Sequence, residues 1–215
     1  IVLDQGHDLK MWKPENYGKK FYGPSTIRTG LEKSRNLMTV RIAQEIGVKN
    51  IAKFAESLNI YENPEELLSI SLGSTETTLL KLTAAYASFV NGGKLIHPLF
   101  LDRVQDSEGN TIFSSEKRIC KKCKEISYLG EEVPKIEDNF LQIFSEETAY
   151  QITSILEGVI KRGTARGLKD LNLDLAGKTG TTNNNTDAWF IGYTSNMVVG
   201  VYIGHDEPKS LGKYE

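Results

Sequence analysis

The stretch Ala176-Gly177-Lys178-Thr179-Gly180-Thr181-Thr182 sets one cation among hydroxyls and two glycines. On a strand, glycines let a ligand's backbone come close, while Lys178, Thr179 and Thr181 offer donors to a carboxylate. That combination suits capture of a peptide C-terminus. An extended ligand adds to the strand's edge through main-chain hydrogen bonds, and the hydroxyls and Lys178 hold its terminal charge. A polar edge strand that binds nothing would have the same composition, so the heptapeptide does not decide by itself. Gly177-Lys178-Thr179 also ends a nucleotide-binding G-x-x-x-x-G-K-[ST] loop, but that reading requires Gly at 172, where the chain has Asn172. It also requires a helix to follow, whereas Asn183-Asn184-Asn185 leads into a strand pattern.

A second constellation is Ser34-Arg35-Asn36, a hydroxyl and an amide two residues apart at a helix entrance. There a hydroxyl can relay a proton and an amide can hold a substrate carbonyl. Helix capping is the competing explanation, since Ser and Asn are favoured cap residues everywhere. Cys120-Lys121-Lys122-Cys123 is open to three readings: half a zinc site, a redox pair or a small disulfide. No second C-x-x-C accompanies it, and His7, His97 and His205 are scattered, so no metal site is assigned. The basic cluster Lys117, Arg118, Lys121, Lys122 and Lys124 reads as a solvated loop.

Periodicity supplies the elements that must position these groups. The first 30 residues, punctuated by Trp12, Pro14, Gly23 and Pro24, read as ordered loop. A helix starts at Ser34 or Asn36 and stops at Gly47, and a second carries Val48, Ile51, Ala52, Ala55 and Leu58 on one face. A third bears the stripe Leu79, Leu82, Tyr86, Phe89 and Val90 and ends at Asn91-Gly92-Gly93. Leu101 to Gln105 and Thr111 to Phe113 form a hairpin about Ser107-Glu108-Gly109-Asn110. Ser145 caps a helix with Ala149, Ile152, Leu156, Val159 and Ile160 inward, ended by Gly163. Strands follow at Leu173 to Thr181, Asp187 to Thr194 and Met197 to Gly204, the last two paired antiparallel across Ser195-Asn196. On one strand Trp189 and Tyr193 alternate with Phe190 and Gly192, so one set faces the interior. Helices first and strands last give an α+β layer structure.

Composition narrows the function classes. The 215 residues carry 26 basic and 28 acidic side chains, a net charge of −2, which removes the electrostatic motive for binding nucleic acid. Hydrophobic residues at 39% suffice for a sizeable core and exclude a disordered chain. The longest apolar run, Met197 to Gly204, is far short of the roughly 20 residues a membrane-spanning helix needs.

Together, Ser34-Arg35-Asn36 and Lys178-Thr179-Gly180 resemble the penicillin-recognising serine acyl transferases, whose signatures are S-x-x-K, S-x-N and K-T-G in that order. The likeness is to the transpeptidase part of the bifunctional class A penicillin-binding proteins. It extends through Trp12-Lys13-Pro14-Glu15-Asn16, Leu72-Gly73-Ser74-Thr75-Glu76-Thr77-Thr78, Ala85 to Gly93, Lys161-Arg162-Gly163-Thr164-Ala165 and Asp187 to Thr194. The resemblance implies an antiparallel sheet flanked by helices, the β-lactamase/transpeptidase-like fold, present over residues 1–215 as a partial domain truncated at both ends. It implies acyl transfer from D-alanyl-D-alanine stem peptides of peptidoglycan, with β-lactams as the other ligands and no cofactor. Ser34, Asn36 and Lys178 would be catalytic, and Thr179, Gly180 and Thr181 would bind substrate. It further implies the periplasmic face of the inner membrane, an anchor outside this chain and a cell-wall synthesis complex as partner. In a periplasmic setting the Cys120 and Cys123 pair is preferred as a disulfide. A D,D-carboxypeptidase, a β-lactamase-like hydrolase and a non-catalytic module on this fold stay open as alternatives.

The family's S-x-x-K does not occur in the 33 residues ahead of Ser34. A string of that spacing, Ser114-Ser115-Glu116-Lys117, lies after Ser34 in a charged insert, the wrong place for a nucleophile in a cleft. The chain by itself is therefore expected to be catalytically silent.

Overall fold

The computed structural model describes residues 2–3, 11–116, 118–120, 136–137, 139–182 and 185–212. In chain order, β1 (Val2–Leu3) pairs antiparallel with β2 (Met11–Trp12), and α1 (Ile27–Glu32), α2 (Asn36–Ile46) and α3 (Val48–Ser57) follow. Next come α4 (Leu79–Val90), the hairpin of β3 (Arg103–Gln105) and β4 (Thr111–Ser114), and the short ladder of β5 (Ile119–Cys120) and β6 (Ile136–Glu137). Helix α5 (Glu146–Lys161) leads into a three-stranded antiparallel sheet of β7 (Ala176–Thr181), β8 (Asp187–Tyr193) and β9 (Val198–Gly204), in that spatial order.

The helices form where caps and apolar stripes agree. Thr78 caps α4 by accepting the Lys81 N–H at 3.2 Å, and Ser145 caps α5 by accepting that of Thr148 at 3.3 Å. In α5 the acidic pair Glu146 and Glu147 occupies the first turn and Lys161 the last, both favourable to the helix dipole. Between α2 and α3 the chain turns at Gly47, whose φ of 89° is open to glycine at no steric cost.

The core lies between these helices and the sheet. Helix α5 packs on β7, and α4 packs on β8 and β9. Leu156, Val159, Ile160, Ala165, Ala176 and Tyr193 are buried together, with Tyr86, Phe89 and Phe190 against them. The Tyr193 hydroxyl shares a 3.1 Å hydrogen bond with that of Thr153 on α5, so the ring's polar end is satisfied. Val159 is fully enclosed. Val159→Ala is expected to cost about 2 kcal/mol through lost burial and a residual cavity, read as a fall in the denaturation midpoint.

Two sequence expectations require correction, and a third is narrowed. The segment before residue 30 is not all loop: α1 begins at Ile27, capped by Thr26, whose hydroxyl accepts the Thr29 N–H at 3.2 Å. Six residues are too few to display a helical period, and Gly30 looks like a breaker. Of the two starts expected for α2, the structure has Asn36, behind Arg35, which leaves Ser34 outside the helix. The strand expected from Leu173 begins only at Ala176, because Arg166–Leu171 coils into a 3₁₀ helix that ends at left-handed Asn172.

Candidate active site

Ser34 sits at the corner between α1 and α2. Its φ of 50° is a conformation that non-glycine residues hold only when neighbours impose it, at a cost of about 1–2 kcal/mol. Its N–H donates to the Leu31 carbonyl at 3.1 Å, and the Arg35 N–H donates to that of Gly30 at 2.9 Å, locking the reversal. Ser34 is therefore not a helix cap; the corner frees its hydroxyl for another partner.

That partner is Lys178, on β7. Its ammonium donates to Ser34 Oγ at 2.9 Å and to the Thr179 carbonyl at 2.8 Å. Burial pushes the Lys178 pKa down to about 8 from 10.5, because desolvation penalises the charged form. At neutral pH the group remains mainly an ammonium, which can only donate. Ser34 Oγ thus accepts, and its own proton is free to be given elsewhere.

Asn36 enters from the first turn of α2, where its Nδ2 donates to the Glu15 carbonyl at 2.9 Å. A carbonyl accepts only, so this bond fixes the amide with Oδ1 left as its acceptor. Beside it, buried Asn16 donates to the Lys20 carbonyl at 2.8 Å and accepts the Leu37 N–H at 3.1 Å. Asn16 thereby satisfies one of the orphan donors at the start of α2 that Arg35 cannot cap.

On β7, an outer strand of its sheet, the Thr179 hydroxyl shares a 2.6 Å hydrogen bond with that of Thr164. Thr181 is exposed at the strand's end. A Cβ at Gly177 would lie 2.8 Å from the Ile191 carbonyl oxygen and the Phe190 ring, so packing demands that glycine. A Cβ at Gly180 would have one near neighbour, Trp189 Cβ at 3.4 Å, so packing inside the chain does not.

The structure therefore brings Ser34, Lys178 and Thr179 together, with Asn36 on the adjoining turn. Sequence reasoning assigned no role to Asn16, Glu32, Arg162 or Thr164. Each is a polar residue whose partner is remote in sequence, and only the block likenesses at Trp12 to Asn16 and Lys161 to Ala165 touched three of them.

The other candidates separate from this site. Ser114 is exposed on β4 and accepts the Glu116 N–H at 3.2 Å, while Ser115 donates to Asp102; Lys117 lies outside the described residues. Arg118 is ion-paired with Glu116, as a solvated loop would have it, but Lys121, Lys122 and Lys124 are outside the described residues. Cys120 is disulfide-bonded, which removes it as a thiolate ligand; Cys123 is likewise outside the described residues. After β7 the chain passes into β8 rather than a helix, which rules out the phosphate loop.

Residues 2–215 match the family model described as the penicillin binding protein transpeptidase domain. The chain is 43% identical over 217 residues to penicillin-binding protein 1A of Rickettsia bellii, covering 99% of this chain and 27% of that protein. It is 35% identical over 213 residues to penicillin-binding protein 1A of Neisseria lactamica, covering 97% of this chain and 24% of that protein. The crystal structure of penicillin-binding protein 1A from Haemophilus influenzae superposes with a TM-score of 0.81 at 31% identity, covering 100% of this chain and 35% of that one. The chain spans about a quarter of the length of the curated relatives it matches. These neighbours carry the β-lactamase/transpeptidase-like fold, with its antiparallel sheet and flanking helices, and the same arrangement is seen here.

Proposed function

Because the chain belongs to the penicillin-binding protein transpeptidase family, we propose that it supplies the S-x-N and K-T-G walls of a D,D-transpeptidase site in a bifunctional, peptidoglycan-synthesising protein. The observation that carries this reading is the 2.9 Å contact between Lys178 Nζ and Ser34 Oγ, which closes two distant segments into one cleft. The substrate would be a stem peptide ending in D-alanyl-D-alanine, attacked by a serine outside these 215 residues. Lys178 and the hydroxyls of Thr179 and Thr181 would hold the terminal carboxylate, with the substrate extended along the outer edge of β7. Space at Gly180 supports that close approach.

When the peptide bond breaks, the leaving nitrogen needs a proton. Ser34 would give it: its oxygen accepts from Lys178, and the ammonium would offset the negative charge the serine develops. Asn36 Oδ1 would accept the substrate's amide N–H, fixing the carbonyl for attack. The Thr181 N–H would be one of two oxyanion donors. The acyl group would pass to the amine of a second stem peptide, cross-linking the wall. β-Lactams would enter by the same contacts, on the periplasmic face of the membrane.

The test is labelling of the complete protein with a fluorescent penicillin. Rapid covalent labelling is expected, with Ser34→Ala slowing acylation about 100-fold, the low end for a positioned proton relay. The isolated 215 residues should not label. Equal labelling of Ser34→Ala and unsubstituted protein would overturn the role of Ser34, and covalent labelling of the isolated chain would place the nucleophile inside it.

A further inference from the structure

Glu32 is 5% exposed, and the site as described makes no use of its carboxylate. The residue ends α1, two positions before Ser34. Its Oε1 accepts from Arg162 Nη2 at 2.5 Å and its Oε2 from Arg162 Nε at 3.2 Å, a two-pronged pair with the residue that follows α5. Arg28 lies 3.9 Å from the same carboxylate and donates to the Ser154 carbonyl at 2.9 Å, a second tie between α1 and α5. Lys33 donates to the Arg162 carbonyl, and the Thr164 N–H donates to the Glu32 carbonyl at 3.2 Å.

Two glycines make room for this junction. A Cβ at Gly158 would fall 2.0 Å from Glu32 Oε1, and one at Gly163 would fall 2.3 Å from the Glu32 carbonyl oxygen. The carboxylate thus lies directly on the α5 backbone. On one side of the pair the chain runs through Lys33 to Ser34. On the other it runs through Gly163 to Thr164, whose hydroxyl meets Thr179 beside Lys178. The two segments that carry the site are joined behind it at the buried Glu32 carboxylate.

We propose that Glu32 and Arg162 are positioning residues: without touching substrate, their ion pair sets how closely Ser34 approaches the Lys178–Thr179 edge, and with it the rate of acylation. This rests on the reading of the site given above. Because the carboxylate-binding edge belongs to β7 alone, loosening the junction should disturb the proton relay more than the initial capture of a β-lactam.

The experiment is saturation kinetics of penicillin acylation in the complete protein, separating the limiting rate constant from the noncovalent dissociation constant. Glu32→Gln is expected to lower the limiting rate at least about 10-fold, the scale of a sub-ångström misplacement, with the dissociation constant within about 2-fold. Arg162→Gln should match it, and the double variant Glu32→Gln/Arg162→Gln should be no slower than the slower single variant. Arg162→Lys, which keeps the charge but loses the fork, should recover part of the rate. If Glu32→Gln fails to fold, the Arg162 variants carry the test, since that side chain is 55% exposed. Variants that melt earlier yet acylate at the unsubstituted rate would overturn the proposal, leaving the pair purely structural. Absence of labelling in the unsubstituted protein would instead overturn the reading of the site, and this proposal with it.

Discussion

Replacing Lys178 with methionine is expected to slow acylation of the complete protein by penicillin about 100- to 1,000-fold while making the fold more stable. The first half follows from geometry. The ammonium is the donor to Ser34 Oγ, and losing a preorganised electrostatic contact of this kind costs about 10²–10³ in rate. The second half follows from burial. The folded state holds this lysine at a pKa of about 8 against 10.5, so it binds the proton less tightly than the unfolded chain does. Below about pH 8 both states carry the proton, and the folded state bears the whole desolvation cost, on the order of 3 kcal/mol. Between pH 8 and 10.5 the folded state releases a proton that the unfolded chain keeps, so stability rises with pH across that window. Acylation should fall across the same window as the ammonium is lost.

Methionine has a similar length and carries no charge. Lys178→Met should therefore gain roughly 1–2 kcal/mol at pH 7, after the two lost hydrogen bonds are deducted, and should lose the alkaline rise in stability. Thermal midpoints at pH 7 and pH 10, with acylation rates at each, check both halves. A variant that labels at the unsubstituted rate, or is markedly less stable at pH 7, would contradict this account of the lysine.

Gly163→Ala is expected to be the most damaging single methyl group in the described structure's site region. The added Cβ would lie 2.3 Å from the Glu32 carbonyl oxygen, 2.5 Å from Val159 Cα and 2.7 Å from the Val159 carbonyl oxygen. All three are backbone atoms, which cannot turn aside as a flexible side chain would. Overpacking of this kind costs about 3 kcal/mol. It should also stretch the 3.2 Å bond from the Thr164 N–H to Glu32 and so slow acylation. Gly167→Ala is the control, because a Cβ there has nothing within 4 Å. It should be neutral or stabilise by about 0.5 kcal/mol through the unfolded chain's lost freedom. Equal denaturation midpoints for the two variants would show that α1 and α5 can separate without cost.

Much of the fold was legible because it is written locally. The cap Ser145, the stop at Gly47 and the stripes of α3, α4 and α5 act within a turn or two, and the pairing of β8 with β9 acts across one tight turn. Helix α1 escaped because it is under two turns long, and the 3₁₀ segment Arg166–Leu171 because its period is neither 3.6 nor 2. The site was half legible. Lys178-Thr179-Gly180 and Ser34-Arg35-Asn36 could be picked out by residue type and family likeness, whereas Asn16, Glu32 and Thr164 could not. An Asn, a Glu or a Thr takes on a particular task only through what it meets.

The amino-acid sequence by itself determined which side chains are available, the helices that carry them, the strand on which Lys178 lies, and the family. Only the tertiary structure decided that Ser34 leaves the helix for a left-handed corner, that Lys178 spends its charge on that hydroxyl, and that Glu32 and Arg162 tie the two walls together. The physical reason is range. Propensity and periodicity act over a few residues, whereas desolvation of a lysine and pairing of a buried carboxylate depend on atoms that only packing brings near.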